Sequence, residues 1–126
     1  MSNDFLNVFL NEMKTNVNGF IAVAVTEIES GLSFGNLTVD PGFDPELAAA
    51  YNLEVVKAKL SAVKALGLNQ DIEDILFTLS NQIHIIDISP NKKFMIYLAA
   101  DASKANLGMT RAILRKHKAE VEKNLA

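Results

Sequence analysis

Residues Asp4 to Lys14 place Phe5, Leu6, Phe9, Leu10 and Met13 on one helical face, with Asn7, Asn11 and Lys14 opposite. That spacing predicts a short amphipathic helix, capped by Ser2 or Asn3. After Gly19 the period changes. Phe20 to Val25 is an unbroken, largely β-branched apolar run, the pattern of a strand buried on both faces. Ser30-Gly31 supplies turn chemistry, and Leu32 to Leu37 reads as a weaker second strand of a hairpin. The segment from Asp40 to Pro45 reads as a loop, in which Asp44 can cap a helix that has Pro45 at its first position.

Glu46 to Leu66 is the longest helical pattern, closed by Gly67. Three strand patterns follow: Ile72 to Leu79, Ile83 to Ile88 and Phe94 to Ala99, separated by turns at Ser80-Asn81 and Pro90-Asn91. Asp101 or Ser103 is placed to cap a last helix with Leu107, Leu114 and Val121 on its inner face. The order is therefore α-β-β-α-β-β-β-α, an α+β arrangement with a largely antiparallel sheet. The middle helix crosses from hairpin to meander and must cover one face. The terminal helices can cover the other.

Projected at 100° per residue, the middle helix has two apolar stripes. One holds Ala49, Leu53, Val56, Leu60 and Val63; the other holds Leu47, Tyr51, Val55, Ala58, Ala62 and Ala65. A helix lying on a sheet needs only one. The larger residues of the first suit a sheet, and the alanines of the second allow close approach of another helix. A twofold axis would set this helix against its own copy. The strand from Ile72 follows directly, so it is expected at a sheet edge beside that axis, with Ile72, Ile75 and Phe77 at the seam.

Composition agrees with a surplus of apolar surface. The chain has 126 residues, of which 49% are apolar before glycine is counted. With the six glycines in and the two tyrosines out the share is about 52%, against ~45–50% for soluble domains. A chain this long buries roughly two-thirds of its unfolded surface, so one domain over residues 1–126 is expected. There is no cysteine, which excludes disulfides and thiolate chemistry. Twelve basic residues against fifteen acidic ones argue against a phosphate-backbone binder, so no nucleic-acid partner is expected. The N-terminus lacks the basic and apolar regions of a secretory signal, and the longest apolar run, Phe20 to Val25, is far short of the ~20 residues needed to span a bilayer. A cytoplasmic location without membrane insertion is expected. In that setting the sequon Asn36-Leu37-Thr38 is a chance match.

Catalytic patterns are missing. Neither a phosphate-cradling glycine loop nor a nucleophile elbow occurs, and the two histidines, His84 and His117, lie in different elements outside any ligand-spaced cluster. Both read as partly buried structural residues. Asp87 is a single charge within an apolar strand and needs hydrogen bonds or a cation. Arg111, Arg115, Lys116 and Lys118 give the last helix a basic side, expected to be a solvated face. No catalytic residue, metal or cofactor is assigned.

Leu98-Ala-Ala-Asp101, followed by Ala105-Asn-Leu-Gly-Met-Thr-Arg111, resembles the roadblock / dynein light chain family, in which an end-of-strand aspartate precedes a helix opening with Asn-Leu-Gly. Gly19 before an apolar strand and Gly31 in the hairpin turn fit the same pattern, and element order matches over essentially the whole chain. Asp101, Asn106, Leu107 and Gly108 carry the motif. Asn106 can hydrogen-bond the turn, and Gly108 is expected to let the helix lie close to the neighbouring strand. The chain departs from the pattern in a long connection from Ser33 to Phe43 and in its alanine-rich middle helix.

The resemblance implies a five-stranded antiparallel sheet, with the middle helix on one face and the terminal helices on the other, as in profilin-like folds. It also implies a dimer joined through middle helices and edge strands, serving as a platform for small Ras-like GTPases. Bacterial members similar to the gliding-motility polarity regulators act as homodimeric GTPase-activating partners, and a bare domain without a tail is what such members look like. The function expected on this basis is a non-enzymatic homodimeric adaptor or regulator of a small Ras-like GTPase. Glu46, Tyr51, Glu54, Lys57 and Ser61 are the candidate partner contacts. Two alternatives are a nucleotide-independent structural adaptor in a larger complex and a profilin- or PAS-like small-molecule sensor. The sensor needs a cavity where Leu53, Val56 and Leu60 stand.

Overall fold

The computed structural model describes residues 2–125. The elements are α1 (Ser2–Asn16), β1 (Phe20–Glu27), β2 (Ser33–Thr38), α2 (Pro45–Ala65), β3 (Asp74–Thr78), β4 (Gln82–Ile88), β5 (Phe94–Asp101) and α3 (Leu107–Leu125). Helix α1 already includes Ser2 and Asn3, so capping by their side chains lies outside what is described. The five strands form one antiparallel sheet in the order β2-β1-β5-β4-β3. The long hydrophobic strands β1 and β5 are central and buried on both sides, as the unbroken run from Phe20 predicts. The shorter β2 and β3 are the edges.

Alternation along the strands builds two cores. Val23, Val25, Ile85, Ile96 and Leu98 face α1 and α3, meeting Phe9, Met13, Leu114 and Val121. Ala24, Ile86, Ile88, Met95, Tyr97 and Ala99 face α2, meeting Ala49, Leu53 and Val56. One helix on one face and two on the other is the predicted layering.

Gly19 is a fixed point of the α1/α3 layer. Its φ of +75° is left-handed, and a Cβ there would stand 3.0 Å from the Asp101 carbonyl oxygen. The Asp101 N–H in turn donates to the Gly19 carbonyl at 2.8 Å, tying the end of β5 to the start of β1.

Four expectations are corrected. Strand β2 occupies Ser33 to Thr38, so most of the long connection from Ser33 to Phe43 is strand. Ile72 lies ahead of β3, half-buried against the α2-side core. The cap of α3 is Asn106: its Oδ1 accepts from the Met109 N–H at 3.1 Å. Asp101 and Ser103 sit too early, because the chain makes a separate turn there in which Asp101 Oδ1 accepts from the Ser103 N–H and hydroxyl. Those bonds hold the Asp101 carboxyl below its ordinary value. Gly108, last, is not forced by a close strand. A Cβ there would meet only Asn106 Oδ1, at an ordinary 3.6 Å.

Candidate functional site

Helix α2 is set by strong stop signals at both ends. Asp44, in extended backbone conformation, accepts from the N–H groups of Glu46 and Leu47 at 3.1 Å each, with Pro45 in the first turn. At the other end Gly67, at φ +68°, donates to the Lys64 carbonyl, and the Leu68 N–H reaches back to Val63. This is a Schellman closure, and it aligns Leu68 with Val63 as its apolar contact.

Between those ends the two stripes diverge in environment. Ala49, Leu53 and Val56 are buried on the sheet, with Leu60 and Val63 half-buried beside them. Leu53 and Val56 thereby pack directly on the sheet-side core. On the outer stripe Leu47 is 55% exposed, Tyr51 73% and Val55 37%; Ala58 and Ala65 are exposed and Ala62 is half-buried. Leu66, 73% exposed, extends the stripe by one more residue, although by sequence it reads only as the helix terminus. Glu46, Glu54, Lys57 and Ser61 are exposed along the helix's polar flank.

The edge strand β3 lies at the far side of the same sheet. Ile75 and Phe77 are half-buried and pack against the α2-side core, while Leu76 turns to the α1/α3 core. The second edge of β3 has no strand neighbour among the described residues. Phe77 stands across from His84 of β4. The Tyr97 hydroxyl donates to His84 Nδ1 at 3.0 Å, and His84 Nε2–H donates to Gln82 Oε1 at 2.8 Å, an arrangement the neutral ring satisfies. Burial lowers the His84 pKa and pushes the Tyr97 hydroxyl up to about 12. The group is an uncharged polar brace under Phe43, whose ring meets His84 edge-on.

Asp101, Asn106, Leu107 and Gly108 organise the β5–α3 turn and are not gathered with the α2 stripe. Leu107 packs half-buried against the α1/α3 core. The basic side of α3 departs from the solvated face expected of it. Arg111 makes a two-pronged contact with Asp74, Nε to Oδ2 and Nη2 to Oδ1, both 3.0 Å. Lys118 reaches Asp87 Oδ1 at 3.1 Å, supplying the cation that Asp87 requires. Arg115 and Lys116 stay exposed. His117 is buried against Phe9, its Nε2 2.6 Å from a Glu12 carboxylate oxygen and its Nδ1 2.8 Å from the Ile113 carbonyl, joining α1 to α3. Among the described residues no helix is long and apolar enough to cross a membrane.

Neither a protein-family model nor a curated protein sequence matches the chain. Solved structures do match its fold. A roadblock/LC7 domain from Streptomyces avermitilis superposes with a TM-score of 0.80 at 13% identity, covering 94% of this chain and 95% of that one. Myxococcus xanthus MglB gives 0.81 at 15% identity, over 96% of this chain and 94% of its own. The gliding protein MglB from Thermus thermophilus gives 0.82 at 13% identity, over 98% and 90%. The fold is thus the roadblock fold anticipated from the Asn-Leu-Gly motif.

Proposed function

We propose that this chain is a roadblock-family adaptor that works as a homodimer and binds a small Ras-like GTPase, without catalysing a reaction through residues of its own. The observation that carries the reading is the apolar stripe left largely exposed along the outer side of α2, together with a β3 edge that has no strand neighbour among the described residues. A contiguous apolar strip on a small protein marks an interaction site. Its size gradient supports self-association. The bulky residues Leu47, Tyr51 and Val55 fill the N-terminal half, and the small residues Ala58, Ala62 and Ala65 fill the C-terminal half.

An antiparallel pairing about an axis between Val56 and Lys57 sets Tyr51 against Ala62 of the second copy and Val55 against its Ala58. Leu47 then meets the second copy's Leu66. Each bulky side chain faces a small one except at the two ends, where leucine meets leucine, and the twofold repeats every contact. In the same arrangement Ile75 and Phe77, with Ile72 ahead of them, lie at the seam, and the open edge of β3 pairs with its counterpart. The GTPase would dock on the paired helices through Glu46, Tyr51, Glu54, Lys57 and Ser61. That assignment rests on the resemblance to gliding-motility regulators and on their shared fold.

Affinity purification of the tagged protein, in GTP-analogue and GDP arms with every small GTPase of the source cell present, tests the reading. Enrichment of a small GTPase in one nucleotide state is the expected result. Recovery of none in either state would refute GTPase binding, and recovery indifferent to nucleotide would favour the structural adaptor.

A further inference from the structure

The α1/α3 face of the sheet has an unusual charge problem at its edge. Asp74, the first residue of β3, stands directly opposite Asp87 of β4. Like charges opposed across a ladder work against strand pairing. Asp87 is only 2% exposed, so water does little to damp the repulsion, and its Oδ2 finds no hydrogen-bond partner among the described residues. Burial raises the Asp87 carboxyl above its ordinary range; the Asp74 charge adds to that, and Lys118 works against it. Neither strand carries a lysine or arginine.

Both compensating cations come from one helix, two turns apart on α3. Arg111 grips Asp74 and Lys118 reaches Asp87. Helix α3 packs on β4 and β5, and α2 packs on β1 and β2. Apart from its half-buried apolar residues, β3 is therefore held by its ladder with β4 and by the Arg111 fork. A fork of two parallel bonds fixes orientation as well as distance, which a single lysine contact does not.

We infer that Arg111 is a positioning residue: docking of α3 latches the edge strand β3 in register on β4, and so decides whether the β3 seam is available to a second copy. The second half rests on the homodimer reading; the first does not. The latch explains why two acidic residues can face each other at the edge that the seam uses, and it makes α3 an element through which a partner could open or close that seam.

The test uses the full chain and three variants: Arg111→Met, the exchange D74R/R111D, and D87N/R111M. Hydrogen exchange, run on dilute protein and read at the β3 amides that bond to β4, reports the latch, and sedimentation reads the dimer. Arg111→Met is expected to lower protection of Ile75 to Thr78 roughly tenfold relative to β1 and β5, and to weaken the dimer by a similar factor, the scale of a lost charge-assisted contact. The exchange restores both by reversing the pair. D87N/R111M restores both only in part: it removes the charge that faces Asp74 but leaves the strand without its fork. Unchanged β3 protection, a uniform loss over all five strands, or failure of both rescues would overturn the inference. A wild-type chain that stays monomeric at every concentration would refute the dimer, while the exchange data would still decide the latch.

Discussion

Replacing Lys118 by Met removes the one cation that Asp87 touches among the described residues, with little change in side-chain volume. At 3.1 Å and an effective dielectric constant of about 20, the attraction lost is about 5 kcal/mol. Two effects limit the cost. The Lys118 side chain is 20% exposed, so water enters where the ammonium stood. Asp87 can also take up a proton instead of remaining charged. From its ordinary value of 3.8, protonation at pH 7 costs about 4.4 kcal/mol, at 1.36 kcal/mol per unit, and this sets the ceiling. The expected loss is about 2–4 kcal/mol, near the range for breaking a buried pair. At about 4 °C per kcal/mol for a chain of this length, the melting temperature falls by roughly 8–16 °C.

The sign of the pH dependence separates this cause from lost packing. Asp87 has a raised folded-state pKa, so its contribution to stability is most favourable below the unfolded value and declines as pH rises through the folded one. The Lys118→Met deficit should therefore be largest at neutral pH and shrink as pH falls toward 4. Asp87→Asn alone should lie within about 1 kcal/mol of wild type, and D87N/K118M should recover most of the loss, because no uncompensated charge remains. Denaturant titrations of all four proteins at several pH values supply the measurement. A deficit that does not depend on pH, or a double variant as unstable as Lys118→Met, would refute the electrostatic reasoning.

Ala58→Glu and Ala62→Glu place like charges on the stripe proposed to join two copies, so each should give a monomer or an unfolded chain by light scattering; two stable dimers would mean that the wrong face was assigned. Wild-type melting temperature should rise with protein concentration if folding and association are linked, and a constant value over several decades would contradict that linkage. Asn106→Ala should cost about 1 kcal/mol through loss of the α3 cap, whereas Gly108→Ala, inside the helix and free of clashes, should stabilise by about 0.5–1 kcal/mol in chemical denaturation. Gly19→Ala should destabilise strongly, since the left-handed backbone and the 3.0 Å approach to the Asp101 carbonyl both oppose a Cβ; an unchanged denaturation midpoint would count against that contact.

Periodicity carried most of the fold. The change from helical spacing at Phe5–Met13 to the unbroken run at Phe20, and the capping residues Asp44 and Gly67, are local signals, and the elements follow them to within a few residues. The cap of α3 was harder because Asp101, Ser103 and Asn106 are all good caps within six positions. What decides among them is the turn that Asp101 makes with Gly19, more than eighty residues away. The ion pairs were out of reach for the same reason. Arg111 meets Asp74 across 37 residues, and Lys118 meets Asp87 across 31. Nothing local distinguishes a cation bound for a strand from one bound for water. The i,i+7 spacing of Arg111 and Lys118, set beside two aspartates on adjacent predicted strands, was the available hint.

The outer stripe of α2 shows how far a helical projection goes. It separates residues that touch the sheet from those that do not, and the exposures of Leu47 and Tyr51 against those of Leu53 and Val56 follow that division. It cannot say what covers the outer side, and a solvated helix would carry charges there. The polar flank of α2, with Glu46, Glu54, Lys57 and Ser61, shows what a solvated face of this helix looks like. The apolar stripe beside it leaves the composition's surplus at the surface, graded from bulky to small between Leu47 and Ala65. Within one chain most of that gradient stays exposed. It becomes complementary when the same surface meets itself reversed, and that is the arrangement the substitutions at Ala58 and Ala62 put to the test.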